Sequence, residues 1–574
     1  MTYKETYEKW LRDFADDPAT LQELKAIAGD EKEIEDRFYT ELSFGTAGMR
    51  GVLGAGTNRM NLQNVRRATK GFADYINAGD PSYPKRGVVI AYDSRRMSPE
   101  FAKAAALVLC REGIHVYLFD ELRPVPVLSY AVRHLHAVAG IVITASHNPP
   151  QYNGYKVYWE DGAQMPPEYA DQVLSRIRAC TYQDAVEMDE EEARAAGLLQ
   201  IIGNREVDDD YIAQVKTLSV QPELMKKAGK ELKIVYTPLH GSGNKPVRRI
   251  LSEIGIENVL VVKEQELPDP NFSTIRVPNP EDPAAFKLAM ELADREGADC
   301  IFGTDPDCDR VGIAVKDTEG KYYLMTGNQI GCVLLYYILK SRRTLGTLPK
   351  NGAVVKSVVS TELARKIAES YGLTTFDTLT GFKFIAEKIQ QFEDTGAYTF
   401  VFGFEESYGF LSSTFVRDKD GVNASLLIAE AAAWAKTQGK TLYDILLEIY
   451  ATYGAYVEKV VSVTLPGKDG VAKMQAIMKG LRMSPPSGLA GLKVLGVRDY
   501  LCSERTDAKG NRSRLDLPKS DVLYFELEGG AWVCIRPSGT EPKIKLYVNT
   551  NAKDMEEAQE LNAKLREASE ALMK

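Results

Sequence analysis

At 574 residues the chain is longer than one hydrophobic core supports and is expected to divide into three or four domains. A hydrophobic content of 44% and a charged content of 26% are those of a soluble globular protein, and the net charge of −9 excludes a general binder of nucleic acid or anionic membranes. The cysteines (Cys110, Cys180, Cys300, Cys308, Cys332, Cys502 and Cys534) form no Cys-x-x-Cys pair, the N-terminus is polar, and no apolar run is long enough to span a membrane. The expectation is a cytoplasmic protein with reduced, mostly buried thiols.

In chain order, residues 5–28 carry Tyr7, Trp10, Leu11, Phe14, Leu21 and Leu24 at helical spacing, broken near Asp17-Pro18. A polar stretch, 29–37, then leads to Phe44-Gly45-Thr46-Ala47-Gly48-Met49-Arg50-Gly51, a loop able to bring backbone and guanidinium to an anion. Next comes a repeated order of strand, helix, glycine stop and strand. Its first copy has a strand at 88–91, a helix capped by Ser98, Gly113 and a strand at 114–119. The second has a strand at 232–236, a helix from Pro246, Gly255 and a strand at 259–262. The third has a strand at 353–359, a Ser360 cap with a helix over 362–371, Gly372 and a strand at 373–376. Residues 181–207 read as an acidic connection. After residue 453 the texture changes to a strand at 459–465, a helix at 470–481, two strands flanking Gly529-Gly530 and a terminal helix at 553–573. The expected fold is α/β: three tandem related α/β domains with mixed, largely parallel sheets plus a C-terminal α+β domain, around a central cleft. The expected boundaries are 1–207, 208–322, 323–453 and 454–574.

Four loops at predicted strand ends carry chemistry, where open α/β sheets keep their ligands. Thr144-Ala145-Ser146-His147-Asn148-Pro149 follows the apolar run 138–143. It lacks the G-x-S-x-G elbow of a hydrolase, and neighbouring residues such as Ser146 and His147 seldom pair as nucleophile and base. Asp305-Pro306-Asp307-Cys308-Asp309-Arg310 sets carboxylates at alternate positions, which repel unless a cation sits among them. Arg310 and Lys316 stand where an EF-hand needs glycine and glutamate, so the set suits Mg²⁺. Gly403-Phe404-Glu405-Glu406-Ser407 offers a carboxylate and a hydroxyl for sugar hydroxyls, with Thr380-Gly381 and Arg417-Asp418-Lys419-Asp420-Gly421 supplying a turn and cations. Arg536-Pro537-Ser538-Gly539-Thr540 combines arginine, hydroxyls and a glycine amide as a phosphate cradle.

As a set, and in this order, these four loops resemble the active-site loops of the α-D-phosphohexomutase family. The length and the stretches 402–409 and 417–421 are most similar to its phosphoglucomutase and phosphopentomutase branch. The resemblance implies a mutase interconverting glucose 1-phosphate and glucose 6-phosphate through a phosphoserine enzyme and a bisphosphate. The alternatives are phosphopentomutase or phosphomannomutase activity, or a sugar bisphosphate synthase. It implies that Ser146 carries the phosphoryl group and that Asp305, Asp307 and Asp309 hold one Mg²⁺ together with a phosphoserine oxygen, with Arg310 nearby. Arg50 and Lys156 would lie near the transferring phosphate. Thr380, Gly381, Glu405 and Ser407 would contact the sugar, and Arg536, Ser538, Gly539 and Thr540 the substrate's own phosphate. A sugar bisphosphate activator and a sugar monophosphate substrate are implied, with no nucleic-acid or membrane partner. Some members have an acid/base histidine two residues after the sugar-loop serine; this sequence has Gly409, which leaves Lys419 and His147 as candidates.

Overall fold

The computed structural model describes residues 1–45, 48–465, 470–537 and 543–573. They form two compact units, one of residues 1–325, 386–391 and 407–441, the other of residues 326–385, 392–406 and 442–574.

In the first unit, strands Val88–Tyr92, Val116–Phe119, Ala139–Ile143 and Leu199–Ile202 pair in parallel. Tyr152–Trp159 and then Met49–Val52 add antiparallel strands on one side. Ala139–Ile143 is buried at every position, as its continuous apolar run requires in a sheet covered on both faces. The second sheet repeats the plan. Cys300–Thr304, Lys233–Thr237 and Asn258–Val261 are parallel, and Val311–Lys316 and Tyr322–Leu324 continue antiparallel. The Ser146 loop and the loop at 305–310 are therefore the same turn of the repeat, each joining a parallel strand to its antiparallel neighbour. In the second unit, Gly352–Ser357 pairs in parallel with Thr374–Thr378 and Thr399–Glu405, so Glu405 ends the corresponding third strand. Beyond residue 454, Ala455–Thr464, Lys543–Ala552, Trp532–Pro537, Leu523–Leu527 and Leu492–Asp499 form an antiparallel sheet backed by helices Gly470–Met483 and Met555–Ala571. Two mixed α/β sheets, a third α/β sheet with parallel pairings and a C-terminal antiparallel sheet with its helices agree with the expected fold class.

Several local expectations change. The polar stretch 29–37 is not a connection: Glu31–Phe38 is a helix, capped by the Asp30 side chain and burying Ile34 and Phe38 against Trp10 and Leu24. The segment 181–207 contains Leu199–Ile202, an edge strand of the first sheet. Ser98 is the first residue of its helix rather than its cap: Met97 holds the cap position with a left-handed backbone, and the Ser98 oxygen accepts from Asn153 Nδ2 at 3.0 Å. Ser360 likewise does not cap Leu363–Ser370; its hydroxyl lies 2.9 Å from Ser357 Oγ. The second helix starts at Asn244, two residues before Pro246. Of the cysteines all but Cys502 are buried.

Candidate functional site

Ser146 turns the chain just beyond the carboxyl end of Ala139–Ile143 with a left-handed backbone, φ 51°. Cys308 (φ 51°) and Tyr408 (φ 67°) do the same in the loops that follow Cys300–Thr304 and Thr399–Glu405. A non-glycine residue in this conformation costs roughly 1 kcal/mol or more, so each loop is held by its surroundings. Arg95 holds the first. Its buried guanidinium donates to the carbonyl oxygens of Ser146, Asn148, Pro149 (2.9 Å) and Tyr152 (3.1 Å), and it pairs with buried Asp93 at 3.3 Å. Asp93 Oδ2 also accepts from Thr144 Oγ1 at 2.7 Å, and the Ser146 N–H donates back to that hydroxyl oxygen at 2.8 Å.

The Ser146 hydroxyl donates to Asp305 Oδ2 at 2.6 Å. Carboxylate oxygens of Asp305, Asp307 and Asp309 lie within 4.8 Å of one another, and all three residues are buried. Burial, and then the charges of Asp307 and Asp309, push the Asp305 carboxyl well above the usual range. Asp307 Oδ1 and Asp309 Oδ1 have no hydrogen-bond partner although buried. Hard carboxylate oxygens left bare in a buried cluster are the donor set that Mg²⁺ takes, so the residues fit the ion.

Cations surround this cluster. Lys156 Nζ lies 2.8 Å from Asp307 Oδ2 and 3.5 Å from Asp309 Oδ2, and Lys419 Nζ lies 3.1 Å from Asp309 Oδ2. Burial alone would raise the Asp309 carboxyl; Lys419 and Lys156 outweigh it and hold it below the usual carboxylate range. Burial would lower the Lys156 ammonium, and Asp307 with Asp309 instead keep it raised. Arg310 donates its backbone N–H to Asp305 Oδ1 at 3.1 Å and pairs through its guanidinium with Glu281 at 2.9 Å. Arg50 donates to Asn148 Oδ1 at 3.1 Å, at the edge of the Ser146 loop. His147 departs from expectation: its Nδ1 lies 3.1 Å from Ser146 Oγ, because the left-handed turn folds the two neighbouring side chains together. Burial, and then Arg310 and Arg50, push the His147 imidazole well below its ordinary value, so it is neutral at pH 7.

The second unit carries the remaining residues. Buried Glu405 accepts the Gly381 N–H at 2.7 Å, with Thr380 immediately before that glycine. Glu406 turns the other way, to the end of Gly352–Ser357, where its Oε2 accepts from Ser357 Oγ at 3.1 Å and Ser360 Oγ at 3.4 Å. Burial, and then the charge of Glu405, raise the Glu406 carboxyl to about 7; Lys545 opposes this. Lys545 is the register partner of Arg536, which is half-buried near the end of Trp532–Pro537. Ser538, Gly539 and Thr540 lie outside the described residues, as do Thr46 and Ala47 of the arginine loop. Ser407 begins the 407–441 segment of the first unit.

Sequence reasoning missed Asp93 and Arg95, which hold the Ser146 loop from behind. The available signal was position: Asp93-Ser94-Arg95 follows strand Val88–Tyr92 at its carboxyl end, as the functional loops follow theirs.

Residues 41–184, 209–320 and 326–453 match the family models of the phosphoglucomutase/phosphomannomutase alpha/beta/alpha domains I, II and III, and residues 461–568 match that of its C-terminal domain. A phosphoglucomutase of Staphylococcus aureus (strain MRSA252) is 40% identical over 546 residues, covering 94% of this chain and 96% of that relative. Among solved structures, a phosphoglucomutase/phosphomannomutase family protein from Burkholderia thailandensis aligns with a TM-score of 0.65 at 19% identity, covering 92% of this chain and 97% of its own. The pp63/parafusin phosphoglucomutase of Paramecium aligns with a TM-score of 0.67 at 18% identity, covering 93% and 95%. These two establish likeness of fold.

Proposed function

The chain belongs to the α-D-phosphohexomutase family, with all four phosphoglucomutase/phosphomannomutase domains, and from that premise we propose that it interconverts glucose 1-phosphate and glucose 6-phosphate through a phosphoserine enzyme and a bisphosphate intermediate. The observation that carries the reading is the Ser146 hydroxyl 2.6 Å from Asp305, the first of three clustered carboxylates that a second ring of cations neutralises. Phosphoryl transfer asks a protein mainly for positioning and for compensation of oxygen charge, and this cluster supplies both.

Phospho-Ser146 gives its phosphoryl group to the free hydroxyl of the sugar monophosphate: the serine O–P bond breaks, a sugar O–P bond forms, the sugar hydroxyl gives up its proton and the Ser146 oxygen gains one. The bisphosphate then turns round and returns its other phosphate to Ser146. Asp305, Asp307 and Asp309 would hold Mg²⁺, which when bound neutralises phosphoryl oxygens. Lys156 and Arg50 neutralise the transferring group from the protein side, with Arg310 beside the loop. When Ser146 is rephosphorylated its proton has to leave; the hydroxyl already donates to Asp305 Oδ2 at 2.6 Å, and His147 Nδ1 lies within reach at 3.1 Å. Lys419, ion-paired with Asp309, serves as a fixed cation beside the metal loop. Glu405, Ser407, Thr380 and Gly381 recognise sugar hydroxyls; Arg536, Ser538, Gly539 and Thr540 take the phosphate that is not being transferred. A sugar bisphosphate would activate the enzyme by phosphorylating Ser146.

The division 1–207, 208–322, 323–453 and 454–574 accompanies this reading, since one family-model match falls within each part. A cytoplasmic location suits the dispersed cysteines and a sugar-phosphate substrate; among the described residues no helix is long and apolar enough to cross a membrane. Parallel kcat/KM measurements on glucose, mannose and ribose 1-phosphates test the substrate. Glucose 1-phosphate is expected to lead, and a ribose or mannose preference would overturn that assignment.

A further inference from the structure

The place where some family members have an acid/base histidine is Gly409 here, and its surroundings say why. A β-carbon on Gly409 would lie 2.1 Å from Lys419 Cδ, 2.6 Å from Cγ and 3.4 Å from Cβ, so its nearest neighbours are all atoms of one side chain. Gly409 is not among the glycines with positive φ, so backbone conformation does not demand it. The Lys419 stem passes over this gap, and its ammonium reaches Asp309 Oδ2 at 3.1 Å and Asp418 Oδ1 at 3.0 Å. Asp418 is itself fixed: its Oδ2 accepts from Tyr158 OH at 2.8 Å and Gln164 Nε2 at 3.1 Å, and its Oδ1 from the Lys419 N–H at 2.8 Å. Behind it the chain enters the helix Gly421–Lys436, capped by Asp420 and buried along nearly all its length.

We propose that Gly409 is a positioning residue whose missing side chain admits Lys419 to the metal loop, with Asp418 steering the ammonium onto Asp309. The proposal rests on the reading of Asp305, Asp307 and Asp309 as metal ligands. Any side chain at 409 displaces the Lys419 stem and withdraws a cation from Asp309. Lys419 and a divalent metal share the charge of that carboxylate, so withdrawing the lysine tightens metal binding while removing a positive charge from the phosphoryl site. A glycine needed only for folding gives a different signature, with metal binding weakened along with turnover.

The test is titration of the purified, unphosphorylated full chain with Mn²⁺ in the wild type, Gly409→Ala, Lys419→Ala, the double variant and Asp307→Asn. Gly409→Ala and Lys419→Ala are each expected to tighten Mn²⁺ by about tenfold. The double variant should match Lys419→Ala, since removing the stem leaves room for the new methyl group. Additive effects in the double variant, or unchanged or weaker Mn²⁺ binding in Gly409→Ala, would overturn the proposal. Should Gly409→Ala fail to fold, the double variant is expected to fold and melt like Lys419→Ala; if it also fails, the proposal is wrong. If the wild type does not bind Mn²⁺, or Asp307→Asn binds it equally well, the metal reading fails and takes the proposal with it. Weakened binding in Asp307→Asn with an additive cycle overturns the Gly409 proposal alone.

Discussion

In the first unit, Lys156 stands 2.8 Å from Asp307 and 3.5 Å from Asp309, Lys419 adds a cation 3.1 Å from Asp309, and Arg310 donates a backbone N–H to Asp305. In the second, Glu405 and Glu406 are adjacent, answered at close range by a backbone N–H and two serine hydroxyls. The same sheet plan thus carries two kinds of charge management. Where a phosphoryl group carrying about −1.5 to −2 charge is to be accepted, cations are fixed in advance. At the end of Thr399–Glu405, a backbone N–H and serine hydroxyls bind the two carboxylates, and burial with the neighbouring charge raises Glu406 to about 7.

Three substitutions break or sharpen that contrast. The largest effect is expected from Asp307→Asn, which removes a ligand oxygen and leaves Lys156 without its nearest partner. Mg²⁺ affinity should fall by about a hundredfold or more, with turnover, as followed by metal titration of activity. Unchanged Mg²⁺ dependence would remove Asp307 from the metal site. Glu405→Gln keeps the shape and removes the charge that would hold sugar hydroxyls. It should lower kcat/KM for the sugar monophosphate by about 10–100-fold, the worth of one charge-assisted hydrogen bond, and leave Mg²⁺ affinity as it was. Altered Mg²⁺ affinity in this variant would mean that the two units do not divide the work as described.

The smallest effect is a pH dependence. The Glu406 carboxyl is raised to about 7 in the folded chain, so the native state holds a proton that the unfolded state has released. Its contribution to stability is present below the ordinary glutamate range and is lost as pH rises through about 7. Glu406→Gln cannot ionise and should be more stable than the wild type at pH 8, by about 1–2 kcal/mol for a half-buried group, while the gap closes near pH 4. Denaturant unfolding at the two pH values measures this, and an equal difference at both would show that Glu406 does not titrate in this range.

Much of the site was legible because its residues sit in short loops at the carboxyl ends of apolar strands, where Ser146, the alternating aspartates and Glu405 have no packing reason to occur together. The repeat was legible for the same reason, through the glycines that stop each helix, of which Gly113, Gly255 and Gly372 all have positive φ. What was not legible is held by burial rather than spacing. Arg95 and Asp93 lie outside the Ser146 loop in sequence and hold it in space, and Tyr158 reaches Asp418 across 260 positions. Helix Glu31–Phe38 escaped notice because it shows only two apolar positions, and strand Leu199–Ile202 because four residues carry no period. The pairing of Ser146 with His147 depends on one left-handed φ, which composition does not reveal.

The most direct measurement of the central claim is the intact mass of the purified chain after incubation with glucose 1,6-bisphosphate and again after excess glucose 1-phosphate. One added phosphate is expected, mapping by peptide mass to Ser146, lost to the sugar monophosphate acceptor and absent from Ser146→Ala. A chain that turns over without ever gaining that phosphate, or a Ser146→Ala variant that still gains and transfers it, would contradict the account.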